Sequence, residues 1–210
     1  MRLTFWRGAG GAACVLMASV CAFPAKADVP SAPVPVPVPA PAPEPGSAPL
    51  VTPLHDADID YVLTGPSGQR LHQRMRWTSA LWRQRVEPEG SATVMLTDYR
   101  THTLMVLDGT NHTATVMSAP GEGFSAPGTP ASGSWRRLGQ GRIAGEACTI
   151  WESADSDRHP TTFCYTDDGL MLGAVHDGKP VVEAVSVSHA PQPVEIFDPP
   201  PGYHRVDPAH

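Results

Sequence analysis

The sequence is short of the features that mark most functional classes. No run reaches the twenty or so apolar residues that a membrane span needs; the longest, Gly8 to Phe23, is shorter and stops at Pro24. No segment of a dozen residues combines helix formers with a 3.6-residue apolar period, which excludes a helical bundle. Basic residues are few, 15 against 21 acidic, so a chain that binds nucleic acid through a broad positive surface is excluded as well. Cysteine is scarce, at four residues, and none lie in a Cys-x-x-Cys pair that would depress a thiol pKa.

Catalytic and ligand-binding motifs are equally absent. Phosphate loops and dinucleotide fingerprints do not occur. Gly65-Pro66-Ser67-Gly68-Gln69 approaches a nucleophile elbow, but its second glycine comes one place early and it reads as a hairpin turn. Asp56 to Asp60 begins like a calcium loop, yet Tyr61 stands where that loop needs Gly and Ser67 where it needs Glu. Nine histidines include no His-x-His and no His-Glu-x-x-His. The sequence therefore offers no catalytic residue, no cofactor site and no metal site, and a non-enzymatic protein is expected.

Proline is abundant, at 24 residues, and it is concentrated near the start. Arg2 and Arg7, the apolar stretch, and the small-x-small triplet Ala25-Lys26-Ala27 have the order of a secretory signal, with cleavage expected between Ala27 and Asp28. No cysteine follows the Leu-x-Gly/Ala pattern required for lipidation. Removing residues 1–27 takes away three basic residues and no acid, so the net charge moves from −6 to −9. The mature protein is expected in the periplasm or secreted, not spanning a membrane and without a nucleic-acid partner. Residues 28–54 are proline-rich and expected to form an extended, disordered linker or tail, about 3.1 Å per residue and on the order of 70 Å in all.

From residue 55 to 206 the pattern is of short strands. Ile59, Tyr61 and Leu63 share a face, a turn at Gly65 to Gly68 follows, and Leu71, Met75 and Trp77 alternate with Arg70, Arg74 and Arg76. Further strands are expected at 81–86, 92–97, 103–107, 113–117, 148–152, 161–166, 170–176 and 181–188. Asp168-Gly169 and Asp177-Gly178 suit tight hairpins. The apolar run Thr103 to Leu107 suits a strand covered on both faces. Residues 118–134 break the pattern and hold one large apolar residue, Phe124, as a pin for a long loop. Residues 207–210 form a short tail.

Two clusters stand out. Cys148 and Cys164 are the only cysteines left after the leader, and a hairpin centred on Ser156 sets them opposite each other as a disulfide. Arg70, Arg74, Arg76, Arg83 and Arg85 crowd two adjacent strands. They suit an anion or lipid-headgroup site, or alternatively cross-strand pairs in which Asp60 and Asp58 lie near Arg74 and Arg76.

The order of these features resembles that of the LolA-like superfamily of periplasmic lipoprotein and lipid carriers and its uncharacterised secreted relatives. The resemblance lies in Asp58–Thr64 before the arginine-rich strand, Val94–Asp98, Leu104–Asp108, Arg142–Trp151, Phe163–Leu172 and Phe197–Tyr203. It implies a mainly β half-barrel, a single curved antiparallel sheet with little helix. Its apolar concave face would receive a lipid, an acylated protein or another hydrophobic ligand. Leu71, Met75, Trp77, Trp82, Met95, Met105 and Met117 are candidates to line that face, equally suited to an ordinary core. The alternative is an envelope interaction or sensor module that binds a protein through a sheet edge or the arginine-bearing face.

Overall fold

The computed structural model describes residues 48–119, 124–154 and 159–206. The expected signal sequence and cleavage site, most of the proline-rich stretch and the expected tail at 207–210 lie outside the described residues.

Twelve strands form one sheet: β1 (Ala57–Thr64), β2 (Arg70–Thr78), β3 (Arg83–Pro88), β4 (Thr93–Asp98), β5 (Thr103–Asp108), β6 (Thr113–Ser118), β7 (Trp135–Ile143), β8 (Glu146–Ala154), β9 (Pro160–Tyr165), β10 (Met171–His176), β11 (Lys179–Ser188) and β12 (His204–Val206). A single 3-10 turn, Val194–Phe197, completes the regular structure among the described residues. The sheet order is β12-β6-β5-β4-β3-β2-β1-β11-β10-β9-β8-β7. Neighbours are antiparallel except β12, which joins β6 in parallel. The fold is thus mainly β with little helix, as the alternating pattern predicts, and its single open, curved sheet is the one that the resemblance implies.

Hairpin chemistry sets the β1 to β6 meander. The turn at Gly65 to Gly68 fixes a register in which Asp58 stands opposite Arg76 and Asp60 opposite Arg74. Farther on, two ten-residue units of the form Thr-x-Met-x-x-Asp-x-x-x-His, Thr93 to His102 and Thr103 to His112, each build one strand and one loop. In each loop the aspartate side chain caps the turn: Asp98 accepts from the Arg100 and Thr101 amides, and Asp108 from those of Thr110 and Asn111. The closing histidine is left-handed in both, φ 52° at His102 and 53° at His112.

The long loop has a topological reason. β6 lies next to one end of the sheet and β7 at the other, so residues 119–134 must carry the chain across it. Part of this crossing segment meets the lead-in to β1. Leu50 bridges Pro130, the Ala131 amide donates to the Pro49 carbonyl, and the buried Thr52 hydroxyl donates to the Ser125 carbonyl at 2.6 Å. Residues 48–54, which composition alone assigns to the linker, are therefore packed: Thr52 is 7% exposed, and the Trp77 indole donates to the Pro53 carbonyl at 3.0 Å. Partners waiting on the sheet give these residues contacts that a proline-rich segment cannot make with itself.

Two apolar clusters hold the sheet. One joins Ile59, Tyr61, Met75 and Trp77 to Leu170, Leu172, Ala184 and the cysteines; the other gathers Leu96, Leu107 and Ala114 with Tyr203 against them. Cys148 and Cys164 form a disulfide, Cα atoms 5.5 Å apart. The expected direct opposition is displaced by two residues, since Ile150 stands opposite Cys164. The bond runs diagonally between β8 and β9, still within disulfide reach.

Candidate functional site

The sheet has two faces with different fates. Trp77, Met75 and Leu71 of β2 share a face with Ile59 and Leu63 of β1, and the register carries that face across the meander. One row runs Met75, Val86, Met95, Val106 and Thr115; the next runs Trp77, Gln84, Thr97, Leu104 and Met117. Tyr165 of β9 lines a cavity of about 350 Å³ together with Met75, Trp77 and Gln84 of β2 and β3. Three strands separate β9 from β2 in the sheet, so the sheet curves toward this face, which is its concave side.

Over β1 and β2, in the middle of the sheet, the concave side is filled. Met75 and Trp77 are buried at 7% and 2% exposure, under Val51 to Pro53 and Phe124, which line the same cavity. Phe124 stacks on Tyr99, ring centres 4.3 Å apart, and approaches Trp82 at 6.2 Å. Burial raises the Tyr99 phenol above its usual range and pushes that of Tyr165 up to about 12. Tyr61 is raised further, first by burial and then by Tyr165, and donates its proton to the Met171 carbonyl at 2.6 Å. These phenols stay neutral and act as packing groups with a polar anchor.

Toward β6 the same face opens. Val86, Met95, Leu104 and Val106 are half-buried and Met117 is 39% exposed; Leu71, 52% exposed, lies on the same face but by the β1–β2 turn, opposite Leu63. This apolar surface is a part of the concave side that the described portions of the lead-in and crossing loop leave uncovered.

The seven candidate lining residues therefore separate. Met95 and Met117 lie on the open concave face, Leu71 lies on the same face by the β1–β2 turn, and Met75 and Trp77 lie on it but are buried where it is filled. Trp82 sits in the β2–β3 loop at φ 56°, with the Arg100 guanidinium 5.1 Å over its ring. Met105 points the other way: it pairs with Leu96, whereas Met95 pairs with Val106, so equivalent methionines of the ten-residue repeat occupy opposite faces. Met105 lines a cleft with Leu96 and Phe197, where the chain after β11 crosses the convex side.

That convex side also carries the arginines. Arg74 binds Asp58 at 2.8 Å, and Arg83 binds Asp98 and Asp198, both at 2.9 Å. Arg76 and Arg85 share Glu87, and Arg85 also donates to the Ile196 carbonyl. Burial alone would raise the Glu87 carboxyl, but hydrogen bonds from Arg85 and Arg76 outweigh it and hold the carboxyl below its usual range. Four of the five arginines are thus neutralised within the protein; Arg70 has no ion-pair partner among the described residues.

A polar cavity of about 870 Å³ opens beside the disulfide, lined by His55, Asp56, Glu146, Cys148, Asp168 and His189 among others. Asp56 is occupied there, accepting from the Ser79 amide and hydroxyl and from the Gln192 amide. At the far end of β9 and β10, His159, His176 and Asp177 come together. Linear spacing hides this group, because strand pairing brings together histidines seventeen positions apart.

No known protein family matches the sequence, and no curated protein is similar to it. Solved structures are similar to it in part. An uncharacterised conserved protein from Thermus thermophilus is similar over 74% of this chain and 91% of its own, with 11% identity and a TM-score of 0.54, which shows the fold alone. MucB is similar at 13% identity and a TM-score of 0.49, and this chain spans 58% of it. The MucA/MucB complex from Pseudomonas aeruginosa gives 13% identity, a TM-score of 0.48, and 69% and 55% coverage of this chain and of that one. Among the described residues no helix is long and apolar enough to cross a membrane.

Proposed function

We propose that this is an exported, LolA-like, non-catalytic binding protein whose open concave face takes an acyl chain, carried by a lipid or an acylated protein. One observation carries the reading: the half-buried to exposed apolar surface of Val86, Met95, Leu104, Val106 and Met117 on the inside of a curved sheet. Half-buried methionines on a rigid sheet adapt to flexible chains, and apolar surface facing a concavity is where such a ligand gains most from leaving water. The arginines supply no ready headgroup site, since four of them are already paired.

Displacement of a fluorescent fatty acid tests this directly. Met95→Asp places a charge in the middle of the face and is expected to abolish binding while the protein remains folded. Met105→Asp, on the convex face, reports stability alone. Binding that survives in folded Met95→Asp protein would remove this face as the site.

A second reading has its own observation. Among the described residues β7 pairs only with β8 and presents an edge nine residues long, with Leu138 44% exposed. An envelope protein could add a strand there. Proline at an outward-facing amide of β7 should then abolish partner crosslinking and leave fatty-acid binding unchanged.

A further inference from the structure

The β9–β10 hairpin carries a set of metal-ligating groups that plays no part in the concave face. Pairing places His176 of β10 opposite Thr161 of β9. His159 stands immediately before Pro160, where β9 begins, and Asp177 follows His176 in the two-residue turn to β11. That turn holds Asp177 and Gly178 at φ 48° and 73°, the left-handed pair that Asp-Gly adopts readily. One ligand atom from each of His159, His176 and Asp177 lies within 4.8 Å of the other two.

Two details go beyond proximity. The first is orientation. His176 Nδ1 is 2.8 Å from the Thr161 hydroxyl, and with Nδ1–H donating to that oxygen, Nε2 presents its lone pair. Such a hydrogen bond on the other ring nitrogen is how metal-binding histidines are held in one tautomer. The second is separation. Nε2 lies 3.6 Å from Asp177 Oδ2, too far for a hydrogen bond. It is close to the roughly 3.4 Å edge of a tetrahedron whose arms are about 2.1 Å, the length of zinc–nitrogen and zinc–oxygen bonds.

The donor set selects the ion. Two imidazoles with one carboxylate suit zinc, copper or nickel, whereas calcium and magnesium require a shell of oxygens. Lys179, the partner of His176 across the turn, is the basic residue set beside the group by the register, and it is exposed. Since His159 and Asp177 are exposed too, a fourth position stays open to water. The site is thus an exchangeable surface site and not a structural one.

We propose that His159, His176 and Asp177 bind a divalent transition ion of the zinc class at the end of the β9–β10 hairpin, with Thr161 as the residue that positions His176. The proposal is independent of any ligand on the concave face.

The test uses the mature protein purified without a histidine tag and stripped with chelator. Zinc is titrated by calorimetry, and cobalt is added in parallel to read its visible absorption. One equivalent of zinc is expected to bind, and cobalt should show the intense bands of four-coordinate geometry. His176→Ala and, separately, His159→Ala should remove both signals without altering the melting temperature of the metal-free protein. Thr161→Val should weaken zinc about ten- to a hundredfold, and His189→Ala, in the polar cavity, should change nothing. No saturable zinc binding below millimolar concentration, or binding that survives both His176→Ala and His159→Ala, would overturn the assignment.

Discussion

Glu87 does more for this fold than its sequence position suggests. It is the shared acceptor of Arg76 and Arg85, a directly opposed pair of arginines whose Nε groups are buried without a partner among the described residues. Glu87→Gln leaves two guanidinium groups facing each other and is expected to cost about 1–3 kcal/mol, the range for an unmet buried polar group, as read by urea denaturation. The acid limb of stability belongs to the same residues. Glu87 and Asp98 both titrate below their usual range in the folded protein, Asp98 because amide and Arg83 hydrogen bonds outweigh its burial. A depressed carboxylate contributes stability that is fully present above the unfolded value, near 4, and is lost as pH falls through the folded value. The melting temperature should therefore drop as pH is lowered below about 4, and less steeply in Glu87→Gln; equal slopes would contradict this account of Glu87. The Asp58–Arg76 and Asp60–Arg74 register was legible in the sequence because a short turn fixes it. The side-chain partners were not: Arg74 reaches diagonally to Asp58 and Arg76 turns to Glu87 on the next strand, a choice that depends on the register of the second hairpin and not on the first alone.

Strands with their own alternation were legible, and strands created by a partner were not. β1 to β6 and β8 to β11 follow apolar periodicity. β7, Trp-Arg-Arg-Leu-Gly-Gln-Gly-Arg-Ile, has almost none, and it exists because β8 supplies a ladder for it. Periodicity also cannot say which side of a two-sided apolar strand is concave, which is why Met105 falls on the wrong face. The lead-in before β1 depends on a close approach that only glycine permits. A Cβ on Gly169, φ 93°, would meet the Thr52 carbonyl oxygen at 2.5 Å. Gly169→Ala should thus displace residues 50–54, break the Trp77–Pro53 hydrogen bond and shift tryptophan emission to longer wavelength; unchanged emission would show that the lead-in does not depend on that glycine. Reducing the β8–β9 disulfide should cost roughly 3 kcal/mol, the loop-closure value for about fifteen residues. The measure is denaturation with and without reductant.

The apolar surface is divided unequally: the chain's own lead-in and crossing loop fill the concavity over the central strands and leave the part toward β6 open. Alternation in the sequence pointed to the antiparallel meander, and the curvature was implied only by the resemblance to the LolA-like superfamily. How far the cavity is filled was not legible, because the filling comes from a proline-rich segment and a loop without periodicity. Export is tested by the mature N-terminus, expected at Asp28 by intact mass, with an unprocessed chain contradicting it. The central claim, that the open end of the concave face holds an acyl chain, is tested most directly by native mass spectrometry of the protein released from the envelope of its own host. The account predicts a bound acyl species in one-to-one ratio on the wild-type protein and its absence from folded Met95→Asp protein. A wild-type protein that carries no acyl species, or a Met95→Asp variant that retains it, would contradict the account.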